Sequence, residues 1–120
     1  MAELLPNLRQ VGDDDFDEQV LRSALPVLVE FTADWCPPCR ALAPHFARLS
    51  SDYAGTLRFA KMDTDEHVDV PARFGVQGIP TLVLFAGCKE VGRIVGPHPA
   101  RLQQGIERLL AAVSAAETRA

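Results

Sequence analysis

Two cysteines separated by two prolines, Cys36-Pro37-Pro38-Cys39, are the residues of this chain whose type and spacing could do chemistry. Such a pair can be a structural disulfide, part of a metal clamp, or a reversible redox couple. As a staple it is weak, because closing so small a loop removes only about 2 kcal/mol of unfolded-state entropy and pins nothing distant. Zinc wants four ligands, usually a second cysteine pair or two spaced histidines, whereas Cys88, His45, His67 and His98 stand singly. No metal site is therefore expected. Haem attachment requires His after the second cysteine, and the residue there is Arg40.

Reversible redox chemistry needs what this stretch supplies. With a helix beginning at Pro38, Cys36 stands just before the first turn and Cys39 within it, a spacing that suits the roughly 4.4–6.8 Å Cα separation of a disulfide. Pro38 fits a first helical position, where a missing N–H costs nothing, and Pro37, held extended by the proline after it, argues against an earlier start. Backbone N–H groups at a helix N-terminus favour a thiolate, which makes Cys36, outermost and first, the expected nucleophile. Cys39, more enclosed, would attack the mixed disulfide and release the reduced substrate. The prolines remove two N–H donors and leave that of Cys39, so Cys36 is expected to be less activated than with Gly in the second position of the motif.

The elements that position this pair follow from periodicity. A short strand near Leu8 to Val11 precedes DDDFDEQVLRSAL, which puts Phe16, Val20 and Leu21 on one helical face. PVLVEFT reads as a buried strand running into the cysteine loop. From Pro38 to about Tyr53, Leu42, Phe46, Leu49 and Tyr53 recur at helical steps, with a kink at Pro44. TLRFAKM is a strand, DEHVDVPARFG a short helix ending at Gly75, TLVLF a buried strand and VGRIV a fifth. ARLQQGIERLLAAV keeps Leu102, Ile106, Leu109 and Leu110 on one face, and residues 114–120 are expected to fray. The order is β-α-β-α-β-α-β-β-α, an α/β arrangement with helices on both faces of a mixed sheet.

The totals narrow the function classes. At 120 residues, 48% hydrophobic and 23% charged, the chain is read as a single domain spanning 1–120 that can build a core without metal or several disulfides. A net charge of −4 with scattered Lys and Arg gives no basic stripe for nucleic acid. The acidic run Asp13-Asp14-Asp15, with Asp17 and Glu18, reads as a helix start offsetting the dipole. MAELLPNLRQVGDDD turns charged at once, which does not encode export, and PTLVLFAGC and ALPVLV fall short of the ~20 residues that span a bilayer. The expectation is a cytoplasmic protein without membrane partners.

WCPPC followed at a distance by GIPT resembles the thioredoxin family, and the likeness extends over roughly residues 8–113. Its landmarks are Phe16, Glu30, Trp35-Cys36-Pro37-Pro38-Cys39, Pro44, Lys61, Gly78-Ile79-Pro80-Thr81 and Gly96. The resemblance implies a thioredoxin fold, a central mixed β-sheet of about five strands flanked by about four helices. It implies a protein-disulfide reductase with a redox-active Cys36–Cys39 disulfide and no bound cofactor. Electrons would come from NADPH through a thioredoxin reductase-like flavoprotein, since no G-x-G-x-x-G dinucleotide loop occurs in this chain. Disulfide-containing proteins would be the substrates of a monomer.

Further roles follow from the same likeness. Glu30 interrupts the apolar run VLVEFTA, where a buried carboxylate must be protonated or find a partner. The family's Asp at this position relays a proton for the second cysteine beside a Lys, here Lys61; Glu is one methylene longer. The Ile79-Pro80 bond is implied to be cis, facing the disulfide and leaving the Ile79 backbone to bind an extended substrate. Trp35, which would shield the pair from one side, and Pro37, Pro38, Gly78 and Gly96 fall at substrate-contact positions; the alternatives are a plain core Trp and glycines that serve a turn. Two departures stand out: Thr32 where many members carry an aromatic, and Cys88 in a hairpin turn where Gly is usual. Other readings are a thiol oxidant or isomerase, a tryparedoxin-like or nucleoredoxin-like donor on the same fold, and a non-catalytic binding module.

Overall fold

The computed structural model describes residues 5–118. In order it has β1 (Leu8–Gln10), one π-helical turn (Asp17–Leu21), β2 (Val27–Thr32), α1 (Pro37–Asp52), β3 (Arg58–Asp63), α2 (Asp69–Arg73), β4 (Thr81–Ala86), β5 (Lys89–Val95), a 3-10 turn (Pro99–Arg101) and α3 (Leu102–Thr118). The strands form one sheet in the order β1-β3-β2-β4-β5. β3 runs parallel to β1 and β2, while β4 is antiparallel to β2 and β5 to β4. The expected mixed α/β sheet is therefore present, with β2 at its centre.

Strand side chains alternate between two apolar layers. Val27, Val29 and Phe31 of β2 join Val83 and Phe85 of β4, Met62 of β3, and Phe16, Val20 and Val70 on one face. Leu28, Phe59, Leu82 and Leu84 join Leu42, Phe46 and Leu49 of α1 and Leu102 and Ile106 of α3 on the other. Both faces being covered, β2 and β4 read as nearly continuous apolar runs. Each fully buried Phe or Leu contributes roughly 1.5–3 kcal/mol, and Phe16, Phe74 and Phe85 add tilted and edge-on ring contacts with centroids 5.0–5.5 Å apart. Glu30 lies two residues beyond Leu28, so its side chain turns toward α1.

The structure corrects several expected boundaries. The first helix shrinks to one turn because its acidic residues are engaged elsewhere. Asp13 accepts hydrogen bonds from the backbone N–H groups of Val70 at 2.8 Å and Asp69 at 3.1 Å, and so caps α2, whose own N-cap Val68 supplies no side-chain bond. Asp15 accepts from the Gly12 N–H at 2.8 Å. α2 is shorter than DEHVDVPARFG because Pro71 fits only in a first helical turn, which starts the helix at Asp69. β5 begins at Lys89, since Gly87 (φ +60°) and Cys88 (φ +68°) make a two-residue turn that brings the strands together sooner. The tail expected to fray from 114 is helical as far as Thr118; its last two residues and the charged opening at 1–4 lie outside the described residues. No helix among the described residues is long and apolar enough to cross a membrane.

Burial opposes ionisation of Asp13, but the N–H groups of Val70 and Asp69 and the neighbouring His67 prevail and hold its carboxyl below the usual range. Asp13→Ala should therefore lower stability by about 1 kcal/mol in urea unfolding at neutral pH, and Asp13→Asn by less. A neutral Ala variant would show that this long-range cap contributes nothing.

Candidate functional site

The cysteine pair is built by the start of α1. Cys36 is its N-cap, with extended backbone (φ −83°, ψ 113°), and Pro37 and Pro38 occupy the first two helical positions. The helix thus begins one residue before the expected Pro38. The restriction that proline places on its predecessor is met by Cys36 itself, and Pro37 accepts the helical region. With both prolines lacking an N–H, the Cys39 N–H is the donor that reaches the Cys36 sulfur, at 3.4 Å. Both cysteines are free thiols, the dithiol state of the pair.

Exposure does not separate the two sulfur-bearing residues as expected. Cys36 is 3% exposed and Cys39 2%, so the first is not outermost in any useful sense. Direction separates them instead. The Cys36 thiol points at the Ile79 carbonyl, 3.9 Å away, whereas Cys39 opens on a cleft of about 440 Å³ walled by Glu30, Thr32, Arg40 and Lys61. Burial and the hydrogen bond to Cys36 push the Cys39 thiol up.

Glu30 and Lys61 are opposite residues of β2 and β3, which aims both side chains into that cleft. Glu30 is 2% exposed, and its Oε2 has no hydrogen-bond partner among the described residues. Burial raises its carboxyl to about 7, against a smaller opposing pull from the Lys61 charge. Glu30 is therefore not a solvated residue of a strand edge. A carboxyl that titrates near neutrality can both hold and release a proton under ordinary conditions.

On the other side of the pair lies the loop before β4. Ile79-Pro80 is cis, and the loop is closed by the Thr81 hydroxyl donating to the Gly78 carbonyl at 2.6 Å and the Gly96 N–H donating to the Pro80 carbonyl at 2.8 Å. Gly96 has φ +57°, so its turn requires glycine. Gly78 does not; a Cβ there would point into open space, which leaves room for an approaching partner. Trp35 is 62% exposed and donates its indole N–H to Asp65 Oδ2 at 2.8 Å, so it is not a core residue. Together with Ile79, His67 and Val68 it walls a groove of about 390 Å³. Among the described residues no group of three or more His, Cys, Asp or Glu side chains is arranged to hold a metal ion.

The thioredoxin family model matches residues 7–108. The chain belongs to the thioredoxin family. It is 44% identical over 90 residues to a thioredoxin of Synechocystis sp., covering 75% of this chain and 84% of the relative. It is 41% identical over 102 residues to thioredoxin 1 of Nostoc sp., covering 84% and 95% respectively. With the chloroplastic thioredoxin M4 of Arabidopsis thaliana it shares 40% identity over 107 residues, 88% of this chain and 54% of that protein. Like other thioredoxins it is a thiol-disulfide oxidoreductase that reduces protein disulfides and depends on a reductase partner.

Asp65 escaped the sequence reading because its tie to Trp35 spans 30 residues and leaves no local pattern. For Glu30 the sign of the linkage is fixed: the folded state binds the proton more tightly, so its contribution is full below the ordinary 4.5 and is lost as pH rises through about 7. Glu30→Gln should therefore gain about 2–3 kcal/mol over the wild type at pH 8 and little at pH 4 in chemical unfolding. A gain that does not depend on pH would show that Glu30 does not titrate as described.

Proposed function

We propose that Cys36 and Cys39 carry protein-disulfide reduction in two exchanges. The Cys36 thiolate attacks one sulfur of a substrate disulfide and expels the other as a thiolate, forming a mixed disulfide. Cys39, giving its proton to the Glu30 carboxylate, then attacks Cys36, expels the second substrate thiolate and leaves the Cys36–Cys39 disulfide. Two electrons pass from the pair to the substrate. Lys61 tempers the charge of Glu30 when it is ionised. The observation that carries this reading is that the two thiols face different ways, Cys36 to the Ile79 carbonyl and Cys39 to a cleft holding a buried carboxyl.

Trp35, Gly78, Ile79, Pro80 and Gly96 seat an extended substrate segment in this proposal, with Pro37 and Pro38 forming the rigid edge of the contact. The exposure of Trp35 and the open space at Gly78 support that role. The protein works as a monomer, with the groove left open to its substrate. Its disulfide is reduced again by a thioredoxin reductase-like flavoprotein drawing on NADPH, in the reducing environment of the cytoplasm, and it binds no cofactor of its own.

In insulin reduction with dithiothreitol as donor, the wild type should accelerate turbidity, Cys36→Ser should abolish the acceleration, and Cys39→Ser should accumulate a mixed disulfide on Cys36. Equal activity of the wild type and Cys36→Ser would refute the assignment.

A further inference from the structure

Thr32 ends β2 with its carbonyl held by two donors, the Thr64 N–H at 2.9 Å and the Thr64 hydroxyl at 3.2 Å. Its backbone is thus fixed against the loop that follows β3. Two residues beyond Glu30, its side chain falls on the face of β2 that α1 covers, and it walls the same cleft as Cys39. Across that cleft the Thr32 side chain and the Ala33 backbone are close enough to the Cys39 sulfur to favour its anion, while the Cys39 N–H is donated to the Cys36 sulfur at 3.4 Å. We propose that Thr32 is a positioning residue for the second exchange, its hydroxyl holding the Cys39 sulfur in line with Cys36 and favouring the anion that attacks. This inference rests on the assignment of Cys39 as the resolving thiol.

The bonds around Cys39 act in opposite directions. Burial and the Cys36 bond push its proton affinity up, while the Thr32 hydroxyl and the Ala33 backbone pull it down. In the dithiol the first pair prevails, and Cys39 keeps its proton. Once the Cys36 sulfur is bonded to a substrate sulfur its bond to Cys39 no longer favours the protonated form, and the Thr32 and Ala33 contributions remain. The Cys39 thiolate is then favoured at the stage where it must attack. The Cys36–Cys39 bond forms, the bond from Cys36 to the substrate breaks, and the substrate sulfur leaves with the electron pair while Glu30 holds the proton.

Other charged groups also face Cys39 across the cleft: Glu30 on β2, Lys61 and Asp63 on β3, Glu66 in the loop after it, and Asp34 and Arg40 around the start of α1. Thr32→Val changes none of these and keeps a β-branched residue at the strand end, so it isolates the hydroxyl. Thr32→Ser keeps the hydroxyl and removes the methyl.

The test uses dithiobis-nitrobenzoate, whose two coloured thiolates leave one per exchange, in a Cys88→Gly background that removes the third thiol at a turn where glycine fits. Thr32→Val should leave the first, concentration-dependent release within about twofold of wild type and slow the second by about tenfold. The Cys39 titration, followed by its Cβ chemical shift, should move upward, and Thr32→Ser should match the wild type in both. An unchanged second release and titration in Thr32→Val, or equal losses in Val and Ser, would overturn the proposal. Failure of the underlying assignment looks different: the first release would survive Cys36→Ser, while the Cys39 titration would still judge the hydroxyl.

Discussion

Among the described residues a single backbone N–H, that of Cys39, reaches the sulfur at the mouth of α1, and most of what surrounds the pair follows from it. An ordinary helix start offers several unsatisfied donors, and a sulfur used as cap would draw on more than one. Here Pro37 and Pro38 take two away while fixing the backbone in the shape a first turn needs. The Cys36 thiol is left with one donor and an acceptor opposite it, the Ile79 carbonyl. In the proposed reaction this suits a reductant, because each further donor to the reduced sulfur would make the pair less willing to give up its electrons.

The position of β2 makes the arrangement possible. It lies between β3 and β4, so one strand end delivers Glu30 and Thr32 beside the pair, while β4 begins at the loop that carries Ile79 and Pro80. The two apolar layers hold these strand ends in register. They also impose the burial that raises Glu30 to about 7, a cost to stability that a reaction handling one proton per cycle can use.

Much of this was legible in the sequence. Periodicity and β-branched runs located all five strands and α1 and α3 to within a few residues, because those segments bury one or both faces. The pair, Glu30 and the Ile79-Pro80 loop could be read as well, since each breaks a local rule: two prolines between cysteines, an acid inside an apolar strand, a proline opening a strand. What could not be read were ties between distant segments. Asp13 caps a helix 56 residues away, Asp65 holds the indole of Trp35, and the Thr32 side chain meets Cys39. A short polar side chain carries no mark of which remote donor it will meet, so the acidic run looked like a helix start. The equal burial of the two cysteines was likewise invisible, because the cover over Cys36 comes from the Ile79 loop.

The claim that one N–H sets the character of the pair is tested most directly by the redox equilibrium with glutathione, comparing the wild type with Pro37→Gly, which restores a donor at the first helical position. The account predicts that the variant becomes more oxidising, by on the order of 20 mV, because the added donor stabilises the reduced, anionic sulfur. An unchanged potential, or a shift toward a stronger reductant, would contradict it.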